Sequence, residues 1–496
     1  MKIKSTVAKV LARLNEKKMA KWRDNPIQAQ EKVLAELIAQ GKNTQFGRDH
    51  KFESIQKHSD FTHAVPVRSY EDYSDYLSDL IAGKNDVFWP GKPLYFAKTS
   101  GTTSGAKYIP LTKESLKYQI EAAKMALLNY IFETGKADYV DGKMIFLQGS
   151  PLLNKNSVIP TGRLSGIVAN FVPGYLQSNR LPSFETNCIE DWESKVDAIV
   201  KETSQKDLRL ISGIPSWVQM YFEKLQEKHD GKNIKEIFPN FNLFVYGGVN
   251  YKPYKEKFTQ LIGKDVDSIE LFPASEGFFA FQDSQSDLGM LLLVDSGIFY
   301  EFIPVEECHN ENPTRLTLKD VELNKDYALI ISTNAGLWAY NIGDLVRFTS
   351  LKPYKIVVSG RIKHFTSAFG EHVIAYEVEK ALNAGIESCG GSIREFHVAP
   401  EVNPTNGLPY HEWLIEFEVL PSNLGQFTQV IDEKMQELNP YYLDLRAGNI
   451  LKELVVTQIS RFGFQSYMKS KGKLGGQNKV PRLSNDRKIA DLLKGY

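Results

Sequence analysis

Apolar positions recur three and four residues apart through the first part of the chain, the period of a helix with one buried face. "PIQAQEKVLAELIAQGKNTQFGRDH" reads as helix, with Gly41 and Asn43 as its stop. "SYEDYSDYLSDLIAGK" repeats the pattern up to Gly83, and "TKESLKYQIEAAKMALLNYIFETG" predicts a longer helix. Thr112 heads that helix as a cap, although Glu114 stands one place too early for a capping box. The pattern then changes to short, solid apolar runs separated by amphipathic segments. "GKMIFLQGS", "LRLISGIP", "FNLFVYGGVN" and "VDSIELFPASEG" read as buried strands, and "SWVQMYFEKLQEKH" and "YKPYKEKFTQLIG" as helices between them. Such alternation predicts an α/β layered core whose ligands sit at the carboxyl ends of strands. The loops after Ala97, Val245 and Phe272 fall at such ends.

"DLGMLLLVDSGIFYEFIPVEE", "DYALIISTNAGLWAYNIGDLVRFTSL" and "KIVVSGRI" follow one another with short polar breaks, as a β-rich subdomain would. Past Gly360, helices ("AYEVEKALNAG", "LGQFTQVIDEKMQELN") and strands ("IREFHVAPE", "HEWLIEFEVL", "LKELVVTQI") make a separate α+β unit. Two domains, 1–360 and 361–496, are expected, in keeping with a chain of 496 residues that is too long for one core.

Charge narrows the partners. Lysine plus arginine and aspartate plus glutamate each number 60, so no net field draws the protein to nucleic acid or to an anionic membrane. Cys188, Cys308 and Cys389 are far apart, which suits a reducing compartment and neither a disulfide framework nor a zinc site. No run approaches the ~20 apolar residues of a membrane span. "MKIKSTVAKVLARLNEKKMAKWRDNP" is an amphipathic helix broken by cations, not a signal peptide. The expected partners are therefore small molecules, and the expected location is the cytoplasm.

Three stretches carry candidate chemistry. In "YFAKTSGTTSGAKYIPLT", Ser100, Thr102, Thr103 and Ser104 offer hydroxyls, while Gly101 and Gly105 let backbone N–H groups converge on an anion. Lys107 adds a point charge suited to phosphate. The stretch is equally a polar hairpin turn. It is not a Walker A loop, because Lys107 follows the last glycine by two and "KYIPLT" is extended. In "LFPASEG", Glu276 could hold magnesium together with substrate phosphates, or Ser275 could cap a helix start. In "WAYNIGDLVRF", Gly343 frees a turn and Asp344 could accept ribose hydroxyls, or the pair could simply connect two strands.

Together, "TSGTTSGAKYIPLT", "YGGVN", "LFPASEG", "YNIGD", "SGRIKHFTSAFGEHV" and "GGQNKVPRLSND" resemble the adenylate-forming superfamily. Within it, the combination is similar to bacterial members of the auxin-responsive GH-three family of acyl-acid amido synthetases, over nearly the whole chain. The resemblance implies a large N-terminal α/β domain and a smaller mobile α+β C-terminal domain, with ATP and magnesium as cofactors. It implies that residues 100–105 and Lys107 meet the phosphates, and that Tyr246, Gly247, Gly248 and Val249 line the adenine. It puts Ser275 and Glu276 near the α-phosphate and magnesium, Asp344 at the ribose and Arg361 at the hinge. Lys479 of "QNKVPR" would be the catalytic lysine, although with Lys469, Lys471 and Lys473 it also reads as a solvated basic tail. The acid would lie near "TGRLSGIVANF" and "GIPSWVQMY", where Arg163 could pair with a carboxylate and Trp217 could face an aromatic ring; both could instead be packing. Asn341 departs from the Tyr-Arg pair that many adenylating enzymes place before Gly-Asp, and Ser275 replaces their usual threonine. The implied reaction joins a carboxylic acid to an amine, with an amino acid as the expected acceptor. The alternatives are an acyl-CoA ligase of the same superfamily and a non-catalytic nucleotide-binding protein that keeps the fold.

Overall fold

The computed structural model describes residues 3–100, 106–155, 157–171, 179–189, 191–248, 251, 254–308, 310, 312–361, 365–366, 369, 373–402, 404–447, 450–472, 480–484 and 486–496. The chain forms two compact units, one built mainly of Met1–Ile342 and Val346–Val357, the other mainly of Gly343–Leu345 and Val358–Leu474.

The first unit rests on an eleven-stranded mixed sheet. Its parallel half runs from Arg180–Leu181 through Lys143–Phe146, Leu208–Ser212 and Leu243–Gly247 to Asp267–Pro273. There a hairpin reverses the chain into Phe278–Gln282, followed by Met290–Leu292 and Tyr354–Arg361, all antiparallel. Tyr340–Leu351, Asp326–Thr333 and Ile298–Pro304 complete the order. The β-rich stretch is thus an extension of the α/β sheet and not a separate layer. Apolar patterning shows that strands exist, but not which strands pair.

Both faces of the parallel half are covered, which is why its strands are solidly apolar. Met144, Leu210, Leu243, Val245 and Ile269 face Ala8 and Ala12 of helix Ile3–Arg23 and Tyr130 and Ile131 of helix Lys113–Thr134. Ile145, Ile211, Phe244 and Tyr246 point the other way, into Val218, Phe222 and Phe258. Thr112 caps Lys113–Thr134 as expected. Its Oγ1 accepts from Ser115 N (3.1 Å) and its N donates to Ser115 Oγ (3.0 Å), so serine rather than Glu114 completes the capping box.

One sequence expectation is corrected here. Tyr95–Ser100 is not a strand of the large sheet. It pairs with Ala106–Leu111 in an antiparallel hairpin, joined by Thr161–Gly162 in a sheet of its own. Ala97 therefore lies in a strand of this small sheet, not at the carboxyl end of a strand of the large one.

The second unit is the expected α+β body. Ser392–Glu401, Tyr410–Val419 and Val455–Gln458 form its sheet. Helices Ala375–Cys389 and Leu424–Leu438 bury Val378, Leu382, Phe427 and Ile431 with Trp413 and Ile415 of the sheet. Among the described residues, no helix is long and apolar enough to cross a membrane.

Candidate active site

The reversal between Asp267–Pro273 and Phe278–Gln282 places Ser275 and Glu276. Ala274 N donates to Gly277 O (2.7 Å) and Gly277 N to Ala274 O (3.3 Å), closing a turn with Ser275 and Glu276 as its two central residues. No helix begins there, so Ser275 is not a helix cap. A tight turn leaves both side chains at its tip, half-buried. Gln119 of helix Lys113–Thr134 donates through Nε2 to Ala274 O (2.9 Å) and fixes the turn against the core.

"YGG" lies alongside. Leu243–Gly247 runs parallel to Asp267–Pro273, with Tyr246 opposite Glu270 and Gly247 opposite Leu271. A Cβ on Gly247 would stand 2.5 Å from Leu271 O, and Gly248 has φ +78°, so both positions demand glycine. The strand therefore ends in bare backbone beside the Ser275–Glu276 turn. The Tyr246 ring is core: it is 5 % exposed, stacked on Phe244 (5.2 Å) and against Tyr251 (4.5 Å). What Tyr246 can offer to a nucleotide is its main chain.

The "YNIGD" stretch opens the strand Tyr340–Leu351. Arg68 fastens it, its N donating to Ala339 O (3.0 Å) and its O accepting from Asn341 N (2.8 Å). Gly343, at φ +83°, bends the strand just before the buried Asp344. The Tyr340 phenol is buried and its pKa is pushed up, first by burial and next by the charge of Glu276.

On the separate hairpin, Lys107 stands opposite Thr99, with Nζ 5.2 Å from the centre of the Tyr70 ring, a cation–π contact. Tyr108 N donates to Tyr70 Oη (2.8 Å), which holds that ring in place. Ser100 ends Tyr95–Ser100, and Arg361 ends Tyr354–Arg361. Residues 101–105, Val249 and Lys479 lie outside the described residues.

In the second unit, the chain immediately after Lys479 is tied to Ser392–Glu401. Val398 N donates to Arg482 O (2.8 Å), and Ser484 N to Val398 O (2.9 Å). The buried His397 donates through Nδ1 to Pro481 O. Arg482 pairs with Glu379 and lies 4.8 Å over the Phe396 ring.

Of the residues suggested for the acid, Trp217 is 7 % exposed and belongs to the core with Leu147 and Tyr221. Arg163 precedes helix Leu164–Ala169 and lies against Gly149, where an added Cβ would come within 2.6 Å of its Cδ. Beside it is a cation the sequence reading missed. Lys195, 2 % exposed, donates to Gln148 O (3.0 Å) and Asn187 O (2.7 Å). Its pKa is held down at about 8, mainly by burial and then by the charge of Arg163. Glu270 was also missed. Burial pushes its carboxyl up to about 7, and the carboxylate makes no ion pair or hydrogen bond among the described residues. The signal for Glu270 was present as one acid inside the apolar run "SIELF".

Among the described residues, no group of three or more histidine, cysteine or acidic side chains could cage a metal ion. Magnesium suits a different arrangement: one or two carboxylates, water and substrate phosphates. Glu276, at an open turn, fits that donor set.

The sequence matches the GH3 family N-terminal domain over residues 15–173, the GH3 family central domain over 291–361 and the GH3 family C-terminal domain over 376–488. It is 23 % identical to a probable indole-3-acetic acid-amido synthetase, GH3.1 of Arabidopsis thaliana, covering 94 % of this chain and 90 % of that one. Its structure is similar to AtGH3.15 acyl acid amido synthetase in complex with 2,4-DB, with TM-score 0.80 at 16 % identity over 98 % of this chain and 96 % of that one. It is similar also to 2-hydroxyisobutyryl-CoA ligase in the postadenylation state, with TM-score 0.56 at 12 % identity over 94 % and 92 %. The fold is that of the adenylate-forming enzymes, and the chain belongs to the GH3 family.

Proposed function

We propose that this chain is an ATP-dependent acyl-acid amido synthetase, which activates a carboxylic acid as its acyl-adenylate and passes the acyl group to the amine of an amino acid. The observation that carries the reading is the match to all three GH3 domains along one chain, and the names of its relatives support it. In the first step, a carboxylate oxygen attacks the α-phosphorus and the bond to pyrophosphate breaks. In the second, the amine nitrogen attacks the acyl carbon, the bond to AMP breaks and the nitrogen loses a proton.

The first step sets anion against anion, so the site must stabilise negative charge. Residues 1–360 form the domain that binds ATP and the acid, and 361–496 the mobile domain that delivers Lys479, with Arg361 as the hinge. Ser100, Gly101, Thr102, Thr103, Ser104, Gly105 and Lys107 hold the phosphates. The main chain of Tyr246, Gly247, Gly248 and Val249 borders the adenine, Ser275 the α-phosphate, and Asp344 the ribose hydroxyls. Glu276 would hold magnesium, which when bound supplies charge neutralisation at the phosphates. Arg163 orients the acid, with Lys195 reinforcing the positive field, and Trp217 backs its pocket through the core. Closure of 361–496 keeps water from the adenylate. The place of action is the cytoplasm.

The fold shared with a CoA ligase makes a thiol the rival acceptor. Products formed from one activated acid, offered amino acids and CoA together, decide between them. The amide is expected, and a thioester as sole product would assign the chain to the CoA ligases.

A further inference from the structure

Helix Ile3–Arg23 has two apolar faces, and the fold uses one of them. Ala8, Ala12, Met19 and Trp22 are buried. Along this inner side, Ser5 Oγ donates to Ala137 O (3.2 Å) and Asn15 Nδ2 to Met125 O (3.5 Å), so the helix lies along Lys113–Thr134. Roughly a third of a turn away, at 3.6 residues per turn, Ile3, Val7, Val10, Leu11 and Leu14 are 71, 52, 53, 40 and 57 % exposed. Their spacing makes one stripe. Scattered surface leucines need no explanation, but a contiguous apolar stripe does.

The charges around the stripe say what suits it. On the helical wheel, Lys9, Arg13 and Lys17 flank one edge, Lys4 and Lys18 the other, and Lys21 continues its line. All six are exposed; Lys18 pairs with Glu121 (3.8 Å) and Lys4 donates to Asn179 Oδ1 (3.0 Å). The one acid of the helix, Glu16, is paired with Arg23 (2.7 Å). A chain with no net charge has therefore concentrated cations around this exposed apolar stripe. The neutral total, which argues against a general attraction to membranes, conceals this.

We propose that this face docks on an anionic lipid surface, the helix lying in the plane of the interface with its stripe inserted. The lysines and Arg13 would reach back to the headgroups along their methylene stems. A second copy of the chain is the poorer occupant, because it would bring two predominantly cationic rims together. No crossing of the bilayer is implied, and the proposal does not depend on the reaction assigned above.

The test is co-sedimentation of the full chain with vesicles of phosphatidylcholine, alone or mixed with phosphatidylglycerol. Binding is expected to the mixed vesicles and to fall about tenfold or more without the anionic lipid. It should fall similarly on Val7→Glu combined with Leu14→Glu, and on Lys9→Glu combined with Lys17→Glu. High salt should weaken it, since the Debye length shrinks to about 3 Å at 1 M. The substituted side chains are exposed, so circular dichroism and melting temperature should match the parent. A parent protein that stays in the supernatant at low salt, or double variants that bind as well as the parent, would overturn the proposal. So would a concentration-dependent dimer, abolished by the Val7/Leu14 pair, in a protein that ignores vesicles.

Discussion

At the tip of the turn between Asp267–Pro273 and Phe278–Gln282 stands Glu276, the carboxylate proposed to hold magnesium. Glu276→Gln keeps the shape and removes the charge. Its expected effect is a fall of about a hundredfold or more in kcat for adenylation, with the melting temperature little changed, because the turn is closed by main-chain bonds. Glu270, in the strand that leads into this turn, has the opposite problem. Its folded pKa of about 7 lies above the ordinary 4.5, so the fold holds a proton that the unfolded chain gives up. Stability is therefore fully present below about pH 4.5 and is lost as pH rises through 7. Glu270→Gln should match the parent in acid and exceed it at pH 8 by on the order of 2 kcal/mol, as read from urea denaturation at both pH values. No stabilisation at pH 8 would mean that something else pairs with the carboxylate. Glu270 escapes a motif search because its signal is one polar residue in an apolar strand, and its meaning depends on Tyr246 opposite it.

Among elements, His397 joins Ser392–Glu401 to the segment that follows Lys479. Its ring is fully buried, with Nδ1 bonded to Pro481 O and Nε2 unpartnered among the described residues. Burial lowers its pKa; the bond to Pro481 O and the charge of Asp486 oppose that shift, while Arg487 adds to it. Below about pH 6.5 the unfolded chain takes up a proton that the fold resists. This residue's contribution to stability is present above that pH and drains away as pH falls, by up to about 1.4 kcal/mol per pH unit. His397→Asn, whose Nδ2 can replace Nδ1 as donor, should flatten the acid limb of the melting-temperature profile; an unchanged limb would shift the effect to other groups. Helix and strand positions were legible in the sequence because their periods are local, as in "KESLKYQIEAAKMALLNYIFET". Pairing was not legible. "YFAKTS" looks like any buried strand, and only its register with Ala106–Leu111 takes it out of the large sheet. The turn at Ser275 could not be told from a helix start for the same reason: the two bonds between Ala274 and Gly277 carry no local pattern.

For the whole molecule, family membership was the most legible feature, because it rests on the order of six short motifs and not on any one. Within the sheet, Gly247 lies opposite Leu271 on the strand that leads into the Ser275–Glu276 turn, and the charge of Glu276 reaches Tyr340. The identity of the acid was not legible. Arg163 was visible as a candidate, but the buried Lys195 beside it belongs to a helix nearly thirty residues further on. The central claim is activation of a carboxylate by adenylation, and the most direct measurement is carboxylate-dependent exchange of labelled pyrophosphate into ATP. A panel of aromatic and aliphatic acids would be run with the parent and with Lys479→Ala. The account predicts exchange with at least one acid, reduced about a hundredfold or more by the substitution. ATP binding without exchange for every acid would contradict it, and exchange undiminished in Lys479→Ala would remove that lysine from the chemistry.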